Sequence, residues 1–344
     1  MTRQSITLKD VARLAGVSAY SASRALNAQS GVSEVTSARV HEAAAALNYI
    51  PNRLAASLRR KDSHTIGVVT TNAANGYYAT LISGIESAVS RRGFLTVTSD
   101  VLDGGSFSAE RQETFARALI ELRVAGVVMT YRPRADHLKL LADWQIPVVF
   151  VDCTPPDGFE QYSFAMNEDR ALAKQVGEHL AGHGYRHWLF VGHPSSWPTR
   201  VERQRGFEDA ANECGARVDV IEGGHTAQMA HDAVLKYLEG PRSDGVRAMF
   251  CSNEFLLNGT LRALKSRRIG VPDDVAVIGY DEFDWSELHD PPITTVDQHV
   301  RSLGELAGEC LAAQIENADS AHGGPIPTTP ATLLVRQSCG CVPK

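Results

Sequence analysis

The chain has 344 residues, 43% of them hydrophobic, and a formal net charge of −6, which suits two or three domains with real cores rather than one small module. Six cysteines at 153, 214, 251, 310, 339 and 341 are too sparse for a disulfide scaffold. No apolar run approaches the roughly 20 residues of a membrane span, and Met1–Asp10 lacks the apolar stretch of a secretion signal, so a cytoplasmic location without a membrane partner is expected.

The acidic total hides a split. Residues 1–62 hold nine basic and four acidic side chains, so the head is basic and the remainder carries the whole negative excess. A basic head on an acidic body fits a polyanion partner at one end. In chain order, Thr7-Leu-Lys-Asp10 reads as a capping box, followed by Leu8, Val11, Ala12 and Ala15 at helical spacing. Gly16 ends that helix. Ser18 is an N-cap for a second helix with apolar Ala22, Ala25 and Leu26, and Ser33 caps a third bearing Val40, Ala44 and Leu47 before Pro51 stops it. A short glycine-bearing turn between the first two is what a helix-turn-helix requires. Three short helices alone also describe any small bundle. The second helix decides between them: Ala19, Tyr20, Ser21, Ser23 and Arg24 crowd its first turns, where a recognition helix meets base edges. An arginine fork suits guanine, and hydroxyls suit phosphates.

At this point the sequence resembles a known family. Thr7-Leu-Lys-Asp-Val-Ala-Arg-Leu-Ala-Gly-Val-Ser18, Ser23-Arg-Ala-Leu-Asn27 and Leu47-Asn-Tyr-Ile-Pro-Asn52 are similar to the lac-repressor family of bacterial regulators, nearly without gaps over residues 5–60. The resemblance implies that Ala19, Tyr20 and Arg24 read bases, and that Thr7, Ser18, Ser21, Ser23, Asn27, Ser33 and Asn52 face the DNA backbone. It departs at Ala22 and Ala25, where valine is usual, and at Ser37, where arginine is usual. Residues 52–58 are two turns of helix-forming composition, marginal in isolation. A plain linker fits that composition. The family implies instead a hinge that becomes helical on operator DNA, with Leu58 wedging the minor groove and small Ala55 letting two hinges approach.

From Thr65 the pattern changes to β-rich runs at 65–70, 94–98, 126–130, 147–151, 187–191, 217–221, 247–251 and 275–279, most followed by amphipathic stretches. Such repeats mean parallel sheets covered by helices on both faces, and about 280 residues suit two lobes. Ligands in open parallel sheets bind outside the carboxyl ends of strands. The residues there include Asn72, Asn75, Tyr77, Tyr78, Ser252, Asn253, Glu254, Asp281, Glu282, Asp284, Trp285, Asp297 and Gln298. Singly, each is an ordinary polar strand end; together they favour a pocket for a polyhydroxyl ligand.

The resemblance extends, more loosely, through Arg203-Gln-Arg-Gly-Phe207, Ser252-Asn253, Val271–Asp281 and Pro291–Gln298. It implies an α + α/β chain: a helix-turn-helix domain at 1–50, a hinge at 51–62, and a two-lobed effector domain at 63–344 resembling periplasmic sugar-binding proteins. The first lobe is expected at 63–162 and 293–327, the second at 163–292 and 328–340, with crossovers near 163, 292 and 328. Arg203, Asn253, Asp281 and Gln298 are implied as effector contacts, and the strand-end residues Tyr77 and Tyr78 are expected beside them. His225 stands where the family's lactose-responsive namesake has a stacking tryptophan, so Trp197 or Trp285 is expected to supply the ring. The partners so implied are double-stranded operator DNA, a small-molecule effector and a second copy of the chain. A dimer is expected because no long heptad repeat is present at the C-terminal end for tetramerisation.

Other chemistry finds no support in the sequence. There is no GxxxxGK[ST], GxSxG or HExxH, and Gly182-His-Gly184 lacks the third glycine of a dinucleotide loop. Adjacent Asp281 and Glu282 make a poor glycosidase pair, so no catalytic residue is expected. A transport receptor would need a secretion signal and would not need residues 1–60. His179, His183, His187 and His193 fall on helix, turn and strand, and Cys339-Gly-Cys341 shows no partnering cluster, so neither a metal site nor a cofactor is expected.

Overall fold

The computed structural model describes residues 6–27, 30–50, 63–72, 75–103, 106–195, 197–317 and 323–342. The chain divides into two compact units, residues 1–63 and 64–344. The hinge expected at 51–62, with Asn52, Ala55 and Leu58, lies outside the described residues.

The first unit holds α1 (Leu8–Ala15), α2 (Ala19–Leu26) and α3 (Glu34–Ala46). The Asp10 carboxylate accepts the Thr7 N–H at 2.9 Å and the Thr7 hydroxyl at 2.6 Å, tying down the start of α1. Gly16 ends α1 at φ 65°, a left-handed conformation that costs glycine least. Ser18 Oγ accepts the Ser21 N–H at 3.0 Å, and Ser33 Oγ accepts that of Thr36 at 3.3 Å, so both expected caps form. The buried core is Val11, Ala12, Ala15, Ala22, Ala25, Val40, Ala43 and Ala44. Most of these are alanines, each adding roughly 0.8 kcal/mol of methyl burial, which leaves this unit a small margin of stability by itself.

The second unit is built on two six-stranded sheets. The first contains β1 (Thr65–Thr70), β2 (Leu95–Asp100), β5 (Gly126–Met129), β6 (Val148–Val151), β7 (Ser163–Ala165) and β13 (Gly324–Pro325), in the order β13-β7-β6-β5-β1-β2. A two-stranded ladder of β3 (Leu102–Asp103) and β4 (Ser106–Phe107) stands apart. The second sheet contains β8 (His187–Gly192), β9 (Arg217–Glu222), β10 (Ala248–Cys251), β11 (Ala276–Tyr280), β12 (Thr294–Asp297) and β14 (Thr332–Leu334), in the order β14-β12-β11-β10-β8-β9. Every pairing within the two sheets is parallel except β12 with β14. β5, β6, β10 and β11 are buried throughout, as strands covered on both faces must be.

The lobe boundaries differ from those expected. Ser163–Ala165 pairs with β6 in the first sheet, and Thr294–Asp297 pairs with β11 in the second. The chain therefore passes between sheets at 166–168 and 298–299, a few residues later than 163 and 292, and returns between 325 and 332. Each strand completes its own ladder before crossing.

The covering helices are α4 (Gly76–Ser90), α5 (Ala109–Glu121), α6 (Ala135–Asp143), α7 (Asp169–Gly182), α8 (Pro198–Cys214), α9 (Ala227–Leu238), α10 (Glu254–Ser266) and α11 (Val300–Glu316). α4 and α11 meet backbone to backbone: a Cβ on Gly84 would strike the Arg301 carbonyl, and one on Gly304 that of Leu81. In the second lobe, buried Asp219 accepts hydrogen bonds from Tyr237 Oη at 2.7 Å, Arg242 Nη2 at 2.8 Å and Arg217 Nη2 at 3.1 Å, with His187 Nε2 also at 3.1 Å. Burial works against this carboxylate's charge, but those bonds win and hold it well below the usual carboxylate range.

Candidate functional site

Two sites emerge, one in each unit. On the first unit, Thr7, Ser18 and Ser33 are the N-cap residues of α1, α2 and α3. Each stands where a helix N-terminus offers backbone N–H groups and a positive dipole end to a phosphate. Ser18 and Ala19 are exposed, Tyr20 is 69% exposed, and Ser21 and Ser23 are half-buried beside them. Ser21 Oγ shares a 2.9 Å bond with Ser18 Oγ, and Asn27 Nδ2 donates to the Ser23 carbonyl at 2.6 Å. Arg24 is engaged within the unit. Its Nη1 donates to Tyr20 Oη at 2.8 Å, its Nη2 to the Ser30 carbonyl, and its guanidinium lies 5.5 Å from the Tyr20 ring centroid. To fork onto a base it must swing away from Ser30.

In the second unit the carboxyl ends of both sheets converge on one cavity. The first lobe supplies Thr71 and Asn72 after β1, Asn75, Tyr77 and Tyr78 at the start of α4, and Asp152 after β6. The second supplies His193 after β8, Trp197, Thr199 and Arg203 from the start of α8, Gly224 and His225 after β9, Asn253 and Phe255 after β10, and Asp281 after β11. Gln298 enters from the crossover after β12. Of the nine residues expected at an effector site, Tyr77, Tyr78, Trp197, Arg203, His225, Asn253, Asp281 and Gln298 line this cavity. Trp285 does not. Its ring stacks on Phe283 at 5.3 Å, and its Nε1 donates to Glu254 Oε1 at 3.5 Å.

Arg203 organises the floor. It is 4% exposed, and its Nε donates to Asp169 Oδ1 at 2.7 Å while its Nη1 donates to the Ser252 carbonyl at 2.7 Å. Its guanidinium lies 3.7 Å from the Tyr280 ring centroid, and Tyr280 Oη donates to the same Asp169 oxygen at 2.8 Å. Nη2 makes no hydrogen bond to the described residues. Burial opposes the charge, yet Asp169, Tyr280, Asp152 and Asp281 around it push the guanidinium pKa still further up, so it is a permanent cation.

The carboxylates are less settled. Desolvation lifts Asp281 to about 6 against the pull of Arg203 and a hydrogen bond from Gln298 Nε2. Desolvation likewise lifts Asp152 to about 8, opposed by Arg203 and reinforced by Asp169 and Asp281. Both sit at positive φ, 77° and 61°, an unusual backbone for a non-glycine residue at a ligand cleft. The Gln298 carbonyl side is held by Asn167 Nδ2 at 3.2 Å. Asn253 Oδ1 caps α10 by accepting the Leu256 N–H at 3.0 Å, which leaves its amide NH₂ for the cavity. Tyr77 Oη is buried and unpartnered among the described residues. One contact spans the lobes at the rim: the Gly76 N–H donates to Glu254 Oε2 at 3.2 Å.

Sequence reasoning missed Thr71, Asp152, His193, Thr199, Gly224 and Phe255. Asp152 and His193 directly follow strands that were recognised, so the strand-end rule reaches them. His193 is also held within the fold: Nδ1 shares a 3.0 Å bond with Ser252 Oγ, its ring meets Trp197 edge-on at 6.0 Å, and burial next to Arg203 pushes its pKa well down, keeping it neutral. Thr199 and Phe255 lie on helices and carried no signal.

Comparison with known proteins accords with this geometry. Residues 7–52 match the family model described as bacterial regulatory proteins, lacI family, and residues 178–339 match the periplasmic binding protein-like domain. The chain is 32% identical over 321 residues to the HTH-type transcriptional repressor PurR of Vibrio atlanticus, covering 91% of this chain and 93% of that one. It is 30% identical to the PurR of Photobacterium profundum over 96% and 98% of the two chains. Among solved structures it is similar to the lac repressor dimer bound to operator and the anti-inducer ONPF, with TM-score 0.83, 27% identity and 98% and 99% coverage. It is also similar to the transcriptional regulator CelR in complex with cellobiose, with TM-score 0.72, 27% identity and 97% and 99% coverage.

Proposed function

The chain belongs to the lacI family of bacterial regulatory proteins and is a DNA-binding transcriptional repressor; from that premise we propose that it binds a roughly palindromic operator as a homodimer in the cytoplasm and releases it on binding a sugar. The observation that carries the sugar reading is the composition of the cavity. A fixed guanidinium with a spare Nη2, the Asp281 and Asp152 carboxyls, and the Asn253 and Gln298 amides supply donors and acceptors for hydroxyls. Tyr77, Trp197, His225 and Phe255 supply rings for a sugar face. That mixture of convergent polar groups on an aromatic wall suits a small polyhydroxyl ring. The CelR structure holds cellobiose.

The lining comes from both lobes, so a ligand that fits one lobe arrangement better than another shifts their balance. That differential affinity is the only source of a change in operator binding. On the first unit, the caps Thr7, Ser18 and Ser33 would position the phosphates while Ala19, Tyr20 and Arg24 read base edges in the major groove. The hinge residues Asn52, Ala55 and Leu58 would complete the interface in the minor groove. Symmetric dimers read half-sites related by a two-fold axis.

Fluorescence anisotropy on operator-length duplexes, with and without a panel of mono- and disaccharides, tests both halves together with light scattering for the stoichiometry. The expected outcome is one dimer per palindrome and a 5- to 150-fold loss of affinity, roughly the usual range of allosteric coupling, with one sugar class. A planar heterocycle that acts where no sugar does, or a monomer that binds a single half-site tightly, would overturn the corresponding half.

A further inference from the structure

The C-terminal strand of the second lobe leads into a tail whose chemistry the repressor function does not use. The sequence shows no cluster partnering Cys339-Gly-Cys341 and suggests no metal site; the fold brings these cysteines together with His179 and His183. His179 and His183 are four residues apart, so they share the face at the C-terminal end of α7. Their rings lie 4.9 Å apart. The tail folds back over that face, and one ligand atom from each of the four residues lies within 4.8 Å of every other. His179 Nε2 is 3.2 Å from Cys339 Sγ and 3.8 Å from Cys341 Sγ, and His183 Nε2 is 3.1 Å from Cys341 Sγ.

Those separations are within about 1 Å of the edges of a tetrahedron. With Zn–S near 2.3 Å and Zn–N near 2.0–2.1 Å, tetrahedral angles put donor atoms about 3.4–3.8 Å apart. Two thiolates would neutralise a divalent cation. An S₂N₂ donor set selects zinc over magnesium or calcium, which take oxygen ligands.

The scaffold around the four is built rather than incidental. Ser338 Oγ donates to the Val277 carbonyl at 2.6 Å and accepts the Thr294 N–H at 2.8 Å, locking the tail to β11 and β12. Thr294 Oγ1 donates to Cys339 Sγ at 3.1 Å, the type of outer hydrogen bond that orients a metal-bound thiolate. Gly340 turns the chain between the cysteines at φ 96°, and a Cβ there would stand only 2.7 Å from Tyr185 Oη, which donates to the Cys339 carbonyl. Cys339 is buried and His183 is exposed, beside a recess lined by Pro292, Gln337, Gly340 and Val342, so a cation has an entry path. Both sulfurs are thiols rather than a disulfide.

We propose that His179, His183, Cys339 and Cys341 bind one zinc ion that staples the C-terminal tail to α7 of the effector domain. The test uses the full-length protein purified under reducing conditions. Elemental analysis should find one zinc per chain. The double variant His183→Ala/Cys341→Ser, which leaves buried Cys339 in place, should hold less than a tenth of that while keeping the far-ultraviolet spectrum and tryptophan fluorescence of the wild type. Cys310→Ser, which removes a thiol elsewhere, should keep its full equivalent. Thr294→Val should weaken zinc affinity about 10- to 100-fold. Cobalt substituted for zinc should give the intense visible bands of tetrahedral thiolate coordination, and a strong chelator should lower the wild-type melting temperature but not that of the double variant. Equal zinc in wild type and double variant, an octahedral cobalt spectrum, or a Cys339–Cys341 disulfide found by mass spectrometry in the freshly reduced protein would each overturn the assignment.

Discussion

Asp281→Asn is expected to make the empty effector domain more stable at neutral pH while weakening its hold on ligand. Asp281 is 3% exposed, and burial lifts its pKa from an ordinary 3.8 to about 6. The folded value lies above the unfolded one, so between those values the folded state binds more protons. Stability therefore falls as pH rises from about 4 to about 6 and stays lowered above that window. A difference near two pKa units corresponds to about 3 kcal/mol at pH 7, with 1.36 kcal/mol for each. Asparagine removes the charge but keeps an oxygen to accept from Gln298 Nε2, and Arg203 keeps its direct partner Asp169 at 2.7 Å. The two proteins should match near pH 4 and separate by about 1–3 kcal/mol by pH 7, the variant being the more stable. At roughly 2–4 °C per kcal/mol for a unit of this size, the melting temperature should rise by several degrees. All four tryptophans, at 144, 188, 197 and 285, belong to the second unit, so urea unfolding of the full chain followed by tryptophan fluorescence reports on it alone. The midpoint should move at constant slope. The same variant should bind its sugar with about 1.5–3 kcal/mol less affinity, the worth of a charge-assisted bond. A variant destabilised equally at pH 4 and pH 7 would refute the argument, because the carboxyl would then be a fold element and not a ligand anchor held at a cost.

Asp219→Asn should show the opposite profile: its carboxylate is held below the usual range by four partners, so the loss, about 3–5 kcal/mol at pH 7, should shrink toward acid pH in the same urea titrations. Arg24→Ala should abolish selective operator binding and leave a weak, salt-sensitive residue of phosphate binding, read by anisotropy against a scrambled duplex. Leu58→Ala should lose most specific affinity yet keep ligand binding, and circular-permutation gels should show a smaller bend. Trp197→Ala should weaken sugar binding while Trp285→Ala leaves it nearly unchanged, because only Trp197 lines the cavity; calorimetry on the pair separates them.

The sequence carried its fold most clearly where one residue type satisfies one physical demand. Ser18 and Ser33 are caps because an N-terminal N–H needs an acceptor, and both form that bond. The central strands were recognisable because doubly covered strands are unbroken apolar runs, as at Val148–Val151 and Ala276–Tyr280, whereas the more exposed β2 and β9 showed alternation instead. Ser163–Ala165 and Gly324–Pro325 were not recognisable: two or three residues show no periodicity, and what makes them strands is the edge already offered by β6 and then by β7. The small shift of the first crossover follows from Ser163–Ala165 pairing with β6, and that of the second from Thr294–Asp297 pairing with β11. Within the cavity, the strand-end rule finds residues that follow a strand, such as Asp281, and is blind to Thr199, which arrives on the helix that carries Arg203. It also over-reaches. Trp285 follows β11 closely, but the turn in between lays it on Phe283 and not in the cavity wall.

The four residues of the proposed zinc site mark a different limit. His179 and His183 were visible as a pair at helical spacing, and Cys339-Gly-Cys341 as a pair two apart, but 156 residues separate the groups. What joins them is the antiparallel return of β14 along β12, which is set by Thr294–Asp297 belonging to the second sheet. A boundary drawn at residue 292 gives β12 to the other lobe, and with it the strand that β14 needs in order to bring the tail back over α7. The metal would staple the lobe that presents Arg203 on α8 and Asp281 after β11. Stripping the zinc should accordingly loosen that lobe while leaving the helix-turn-helix unit as it was, and hydrogen exchange at β11 and β14 is where the change should be read.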